Sequence, residues 1–336
     1  MGALLELDHL AVQLPIDGVQ RPVLHDVSFS LERGEVLAVV GESGSGKSMT
    51  ARAVVGLLPP GATSSGRVVF DGVDLSRASR RQLRQVRARR IGMMFQDPRA
   101  AINPIHRIGD FLTEALVRER GVGAREARAR AASVLEEVGI DEPERRLRQH
   151  PHELSGGMLQ RVMIASVLLA EPDLILADEP TTALDVTTQA EVIALLDDLR
   201  SARQMAMVFI THDLELAAAI SDRVAVMYAG YLVETLPSGE ALERPVHPYT
   251  EALLQSRPLL RERMPAIPQI PGRPLAAHEA PAGCPFHPRC GYAQEQCALH
   301  LPTPVNPSSE SVMCLRAEER RAGLGRTVLA ADRPAS

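Results

Sequence analysis

The sequence predicts an α/β fold built on a parallel sheet, and three observations carry that reading. A short, wholly apolar run, VLAVV (36–40), leads straight into a glycine-rich loop, GESGSGKS (41–48), and then into MTARAVVGLL, which has helical spacing. Further on, helical and strand-like stretches alternate: VMIASVLLA, DLILADEP, EVIALLDDLRSA and MAMVFITHD. The strand-like stretches are apolar at every position, the pattern of strands covered on both faces by helices.

Taken in order, LLELDHLAVQL alternates apolar and polar residues and VSFSL repeats the pattern, so both read as half-buried strands. The helix after the glycine loop is expected to stop by Pro59-Pro60-Gly61. RASRRQLRQVRARR (77–90) holds seven arginines in fourteen positions. Their spacing runs around a helix with no interleaved aromatic, so a solvated helix is expected ahead of the IGMMF strand; the competing reading is contact with nucleic acid or lipid headgroups. Residues 110–139 read as mostly helical, ending at a C-terminal glycine. Beyond about residue 243 proline becomes frequent, which favours an irregular appendage over a second large core.

Bulk properties narrow the function classes. The 336 residues, 45% hydrophobic, can bury a sizeable core. A net charge of -5 argues against a general polyanion binder, so no nucleic-acid partner is expected. No apolar run approaches the roughly 18 residues needed to cross a bilayer. MGALLELDHL lacks the basic start of a secretory leader, so the chain is expected to stay on the cytoplasmic side.

GESGSGKS fits G-x-x-x-x-G-K-[ST] in the strand–loop–helix setting that the pattern needs to bind nucleotide. Backbone N–H groups of Gly41, Glu42, Ser43, Gly44, Ser45, Gly46, Lys47, Ser48 and Met49 are candidates for an anion cradle around the phosphates of ATP. Ser48 is a candidate Mg2+ ligand. Of 37 basic residues Lys47 is the only lysine. A compact ammonium suits a tight phosphate loop where a planar guanidinium does not. DLILADE ends in Asp178, a second Mg2+ candidate, and Glu179, a candidate general base for the attacking water. Taken alone, an apolar strand ending in Asp-Glu reads equally well as a solvated strand end.

LSGGMLQR (154–161), together with the glycine loop and DLILADE in this order, resembles the signature of the ATP-binding-cassette (ABC) family over roughly residues 5–240. The resemblance implies a P-loop NTPase cassette over residues 1–243: a parallel core, an antiparallel β subdomain and a helical subdomain at about 97–165. It implies that Gln96 is the Q-loop residue, catalytic and a further Mg2+ ligand, that Ala183-Leu184-Asp185 is the D-loop and that His212 is the switch histidine. It also implies a shared site, in which Ser155, Gly156 and Gly157 of one cassette cover ATP on the loop of another. A second ABC ATPase subunit is therefore required, and a heterodimer with a paralogue is expected. Two departures stand out: Met158 replaces the usual glutamine, and no aromatic residue lies between 11 and 28, where many members stack one on adenine.

QDPRAAINPIHRIGD after Gln96, HPYTEALL (247–254) and GCPFHPRC (283–290) resemble the ATPases of oligopeptide and dipeptide importers, whose tail here spans 244–336. That resemblance implies a peripheral protein on the cytoplasmic side of the cell membrane, two transmembrane permease subunits and an extracytoplasmic solute-binding protein. Nickel or another small solute is the alternative cargo, and a non-transport ABC ATPase a weaker reading. Cys284, Cys290, Cys297 and Cys314 are separated by five, six and sixteen residues. With no C-x-x-C the spacing fits a zinc ribbon poorly. A [4Fe-4S] cluster is the expectation, as the tail's resemblance implies, with zinc, free thiols or disulfides as alternatives.

Overall fold

The computed structural model describes residues 2–182, 184–256, 269–304 and 310–323. Its strands are β1 (Leu5–Ile16), β2 (Val19–Leu31), β3 (Val36–Val40), β4 (Thr63–Phe70), β5 (Val73–Asp74), β6 (Ile91–Met94), β7 (Leu174–Asp178), β8 (Ala206–Thr211), β9 (Arg223–Tyr228), β10 (Tyr231–Pro237) and β11 (Ser311–Val312). They form two sheets: an antiparallel one in the order β2-β1-β4-β5, and a seven-stranded one in the order β11-β10-β9-β3-β8-β7-β6. Within the larger sheet β9, β3, β8, β7 and β6 are mutually parallel, and β10 and β11 add antiparallel strands at one edge. The expectation of an α/β cassette with an antiparallel subdomain and a helical part is met.

Each strand's residues explain its place. All five residues of β3 are buried, as are all of β7 and β8, so these apolar runs occupy the sheet interior with both faces covered. β1 alternates buried and exposed positions over much of its length, and its buried Leu5, Leu7, Leu10 and Val12 share one core with Leu37 and Val39 of β3. A second core joins the other face of the large sheet to helices Ile108–Arg118, Ala124–Glu137 and Gly156–Leu168. The arginine-rich stretch forms the helix Arg80–Arg89, with a Ser79/Gln82 capping box and no buried residue, immediately before β6. Gly139, with φ 73°, ends helix Ala124–Glu137 in the left-handed conformation that glycine adopts without steric cost.

The proline-rich tail is docked on the cassette and not tethered beside it. β11 pairs with β10, and a third core contains Tyr228, Tyr249, Phe286, Cys284 and Cys297. The three aromatic rings lie 4.7–5.3 Å apart by centroid, in tilted and edge-on arrangements of the sort worth about 1 kcal/mol per pair beyond burial.

The iron–sulfur expectation is corrected by this packing. Among the described residues no group of three or more His, Cys, Asp or Glu side chains is arranged to hold a metal ion, and Cys284, Cys290, Cys297 and Cys314 are free thiols. All four line one small cavity, of about 20 Å³. Burial pushes the Cys284 thiol up to about 12 and raises Cys290 and Cys314 as well. The aromatic core and the strand pairing hold the tail to the large sheet.

Candidate nucleotide site

The carboxyl ends of parallel strands deliver the candidate residues to one edge of the large sheet, where ligands of open α/β sheets bind. The 41–46 loop leaves β3, Gln96 follows β6, Asp178 and Glu179 end β7, and His212 follows β8. The loop's glycines are sterically required. A Cβ at Gly41 would run into the Met227 carbonyl oxygen, and one at Gly46 would lie 2.7 Å from Leu24 Cδ2. Gly46 has φ 105°, a conformation that disfavours any L side chain, and it caps helix Lys47–Val54.

Lys47 Nζ donates to the carbonyls of Gly41, at 2.7 Å, and Glu42, at 3.1 Å, and lies 3.9 Å from Glu179 Oε1. The side chain is only 5% exposed, and burial lowers its pKa against the opposing pull of Glu179, Asp178 and Glu42. Ser48 Oγ donates to Asp178 Oδ1 at 2.7 Å, and Asp178 is buried, which raises its pKa despite that bond. Ser43 and Gly44 are exposed at the loop tip, Met49 is half-buried against the neighbouring core, and the buried Ser45 hydroxyl has no partner.

Glu179 is the hub. Its backbone sits at φ 45°, its N–H donates to the Ile210 carbonyl, and its Oε2 accepts from Gln96 Nε2 at 3.2 Å and Thr182 Oγ1 at 2.8 Å. His212 Nδ1 stands 3.7 Å from the same oxygen, with its ring largely exposed. A non-glycine residue held at positive φ, here at the centre of the site, is the kind of local strain that clusters where function requires a fixed geometry. Thr182 was missed from sequence; only its closeness to the Asp-Glu pair could have suggested it.

Ser155 caps helix Gly156–Leu168 and accepts from the Met158 N–H at 3.3 Å. Asp185 caps helix Val186–Ala202, accepting from both the N–H and the hydroxyl of Thr188, the first of these contacts being the main cause of its lowered pKa. The two caps are neighbours: a Cβ at Gly157 would stand 2.9 Å from Thr188 Cγ2, and one at Gly156 3.8 Å from Leu184. Among the described residues no hydrogen bond or ion pair joins Ser155, Gly156 or Gly157 to the 41–48 loop. Ala183, of the expected D-loop, lies outside the described residues.

A family model described as ABC transporter matches residues 24–182, and one described as the C-terminal region of oligopeptide/dipeptide transporters matches 233–297. The oligopeptide transport ATP-binding protein OppD of Bacillus subtilis (strain 168) is 45% identical over 295 residues, 87% of this chain and 82% of that protein. The chain belongs to the ABC transporter ATPases. The dipeptide transport ATP-binding protein DppD of Escherichia coli (strain K12) is 41% identical to this ABC ATPase over 301 residues, 89% of this chain and 92% of that protein. Among solved structures, the ATP-binding cassette MJ0796, in a dimeric post-hydrolysis state bound to ADP and Pi, superimposes with a TM-score of 0.62. It is 28% identical and covers 70% of this chain and 98% of that chain. As an ABC ATPase this chain hydrolyses ATP, with Mg2+ as the metal of the reaction. Among the described residues no helix is long and apolar enough to cross a membrane.

Proposed function

We propose that this ATPase energises a membrane importer of di- and oligopeptides, with residues 1–243 as the cassette and 244–336 as the tail. The observation that carries the reading is the coexistence, in one chain, of the Lys47–Asp178–Glu179–Gln96–His212 cluster and a tail similar to that of oligopeptide and dipeptide transporters. The named relatives serve oligopeptide and dipeptide transport, which favours peptide over nickel or another small solute as cargo.

In this account Lys47 and the loop N–H groups hold the phosphates. Ser48 and Asp178 are hard oxygen donors 2.7 Å apart, suited to Mg2+, with Gln96 completing the set. The bound ion would neutralise charge on the phosphate oxygens. Glu179, anchored by Gln96 and Thr182, takes the proton of the attacking water, and His212 steadies the terminal phosphate from its exposed position beside Glu179.

The lack, among the described residues, of any hydrogen bond or ion pair from Ser155–Gly157 to the chain's own loop supports a site completed by a second cassette, whose capped helix N-terminus would meet the γ-phosphate. A paralogous subunit is the partner we favour. Peripheral attachment to two permease subunits, fed by an external solute-binding protein, follows from the peptide reading. The segment after Gln96 supports the permease contact: Ile105 is 79% exposed, and next to it lies a groove lined by Ala101, Asn103, His106, Asp110 and Phe111. The test is uptake of a labelled tripeptide, set beside nickel uptake, by the assembled transporter in vesicles. ATP-dependent peptide accumulation is expected; nickel uptake without peptide uptake would overturn the cargo.

A further inference from the structure

We propose that Arg289, in the tail, is a positioning residue for the ATPase: by gripping Glu42 it holds the start of the phosphate loop in the geometry that presents Lys47. The grip is two-pronged, with Arg289 Nη1 donating to Glu42 Oε2 at 2.7 Å and Nη2 to Oε1 at 3.2 Å. The guanidinium is itself fixed. Nε donates to the Pro271 carbonyl at 2.8 Å, the group lies 5.7 Å from the centroid of the Tyr228 ring, and the side chain is only 4% exposed.

A second tail contact acts on the same loop residue. The Glu42 backbone N–H donates to the Tyr249 hydroxyl at 2.9 Å, and Tyr249 is fully buried between Tyr228 and Phe286. The Glu42 carbonyl accepts from Lys47 Nζ at 3.1 Å. One residue is thus held by its side chain and its N–H from the tail, while its carbonyl orients the ammonium. The physical need is plain. Residues 41, 44 and 46 are glycines with the largest conformational freedom to lose, and the tip at Ser43 and Gly44 is exposed. Fixing Glu42 from outside lowers the ordering cost that phosphate binding would otherwise bear. A planar fork against a carboxylate is the geometry in which arginine is not replaceable by lysine.

This inference rests on the 41–48 loop being the phosphate site, so Lys47→Ala is measured alongside. The experiment is equilibrium binding of a fluorescent ATP analogue with Mg2+ to the full chain, together with KM and kcat of the assembled ATPase. Arg289→Ala is expected to weaken ATP binding and raise KM about tenfold while kcat changes less than about threefold. Arg289→Lys recovers part of the loss. Glu42→Gln weakens binding to a similar degree and adds little in the Arg289→Ala background, because the two side chains act as one unit. A merely structural tie would lower the melting temperature and leave affinity untouched; that result, or independent additive effects, overturns the proposal. Should Arg289→Ala fail to fold, Glu42→Gln and Tyr249→Phe decide: weakened binding in either supports it, and wild-type affinity in both refutes it. Unchanged binding in Lys47→Ala would instead refute the loop assignment.

Discussion

At the scale of single residues, the chemistry turns on groups whose environments were built for one charge and one shape. Glu179 is anchored by Gln96 and Thr182, so its carboxylate is aimed before substrate arrives. Glu179→Gln keeps that hydrogen-bonding shape but cannot take a proton, and it is expected to retain ATP binding while hydrolysis falls by about 10²–10⁴-fold in a phosphate-release assay. Lys47→Arg conserves charge in a niche 5% exposed, where two carbonyls at 2.7 and 3.1 Å already enclose a point-like ammonium. Weaker ATP binding by at least about tenfold is expected by titration calorimetry, because the wider guanidinium directs its donors elsewhere. The sequence marks Lys47, Ser48, Asp178 and Glu179 as candidates because phosphate chemistry fixes both residue type and neighbouring secondary structure, and the fold brings the four together. Arg289 and Tyr249 are not so marked. Each sat in a quoted tail motif, yet Arg289 is 247 residues from Glu42, and an arginine or tyrosine announces nothing about which distant loop it will hold.

At the scale of elements, strands and helices were readable where periodicity was clean. β3, β7 and β8 declared themselves as unbroken apolar runs, and helix Ala124–Glu137 by its spacing and terminal glycine. β10 was harder. Its sequence YLVETLP buries Glu234 and Thr235, so only its pairing with β9 and the tail strand explains it as a strand. Glu234 Oε1 accepts from the N–H groups of Val246 and His247, at 2.7 and 3.1 Å, which ties β10 to the chain entering helix Pro248–Gln255. Burial pushes the Glu234 carboxyl up to about 7. A folded-state value above the unfolded one means that its contribution is fully present below about pH 4.5 and is lost as pH rises through about 7. On the order of 3 kcal/mol is expected to disappear across that window. Glu234→Gln cannot titrate, so its stability relative to wild type should rise from pH 4.5 to 7.5, as chemical denaturation at each pH would measure. A constant difference across that range would refute the burial argument.

At the scale of the whole molecule, the sequence made the cassette and its tail recognisable but misread the tail's cysteines as a metal site. Four cysteines in a prolyl segment suggested a metal cluster; the folded chain instead leaves them as free thiols, packs Cys284, Cys290 and Cys297 into the core of Tyr228, Tyr249 and Phe286, and adds β11 to the cassette sheet. A spacing of cysteines is visible in one dimension, whereas the arrangement of their side chains is a property of three. The signature was plain in the sequence; that its helix cap, among the described residues, makes no hydrogen bond or ion pair to the chain's own nucleotide loop emerged only from the fold. Treating the ATPase as half of a two-cassette device rests on the family resemblance and is in keeping with that lack of contact. The most direct test is sedimentation of the Glu179→Gln chain with the second cassette of its transporter, with and without Mg2+ and ATP. Stable association that requires ATP and disappears with ADP is predicted; a chain that binds ATP yet sediments as a monomer in every mixture would contradict the account.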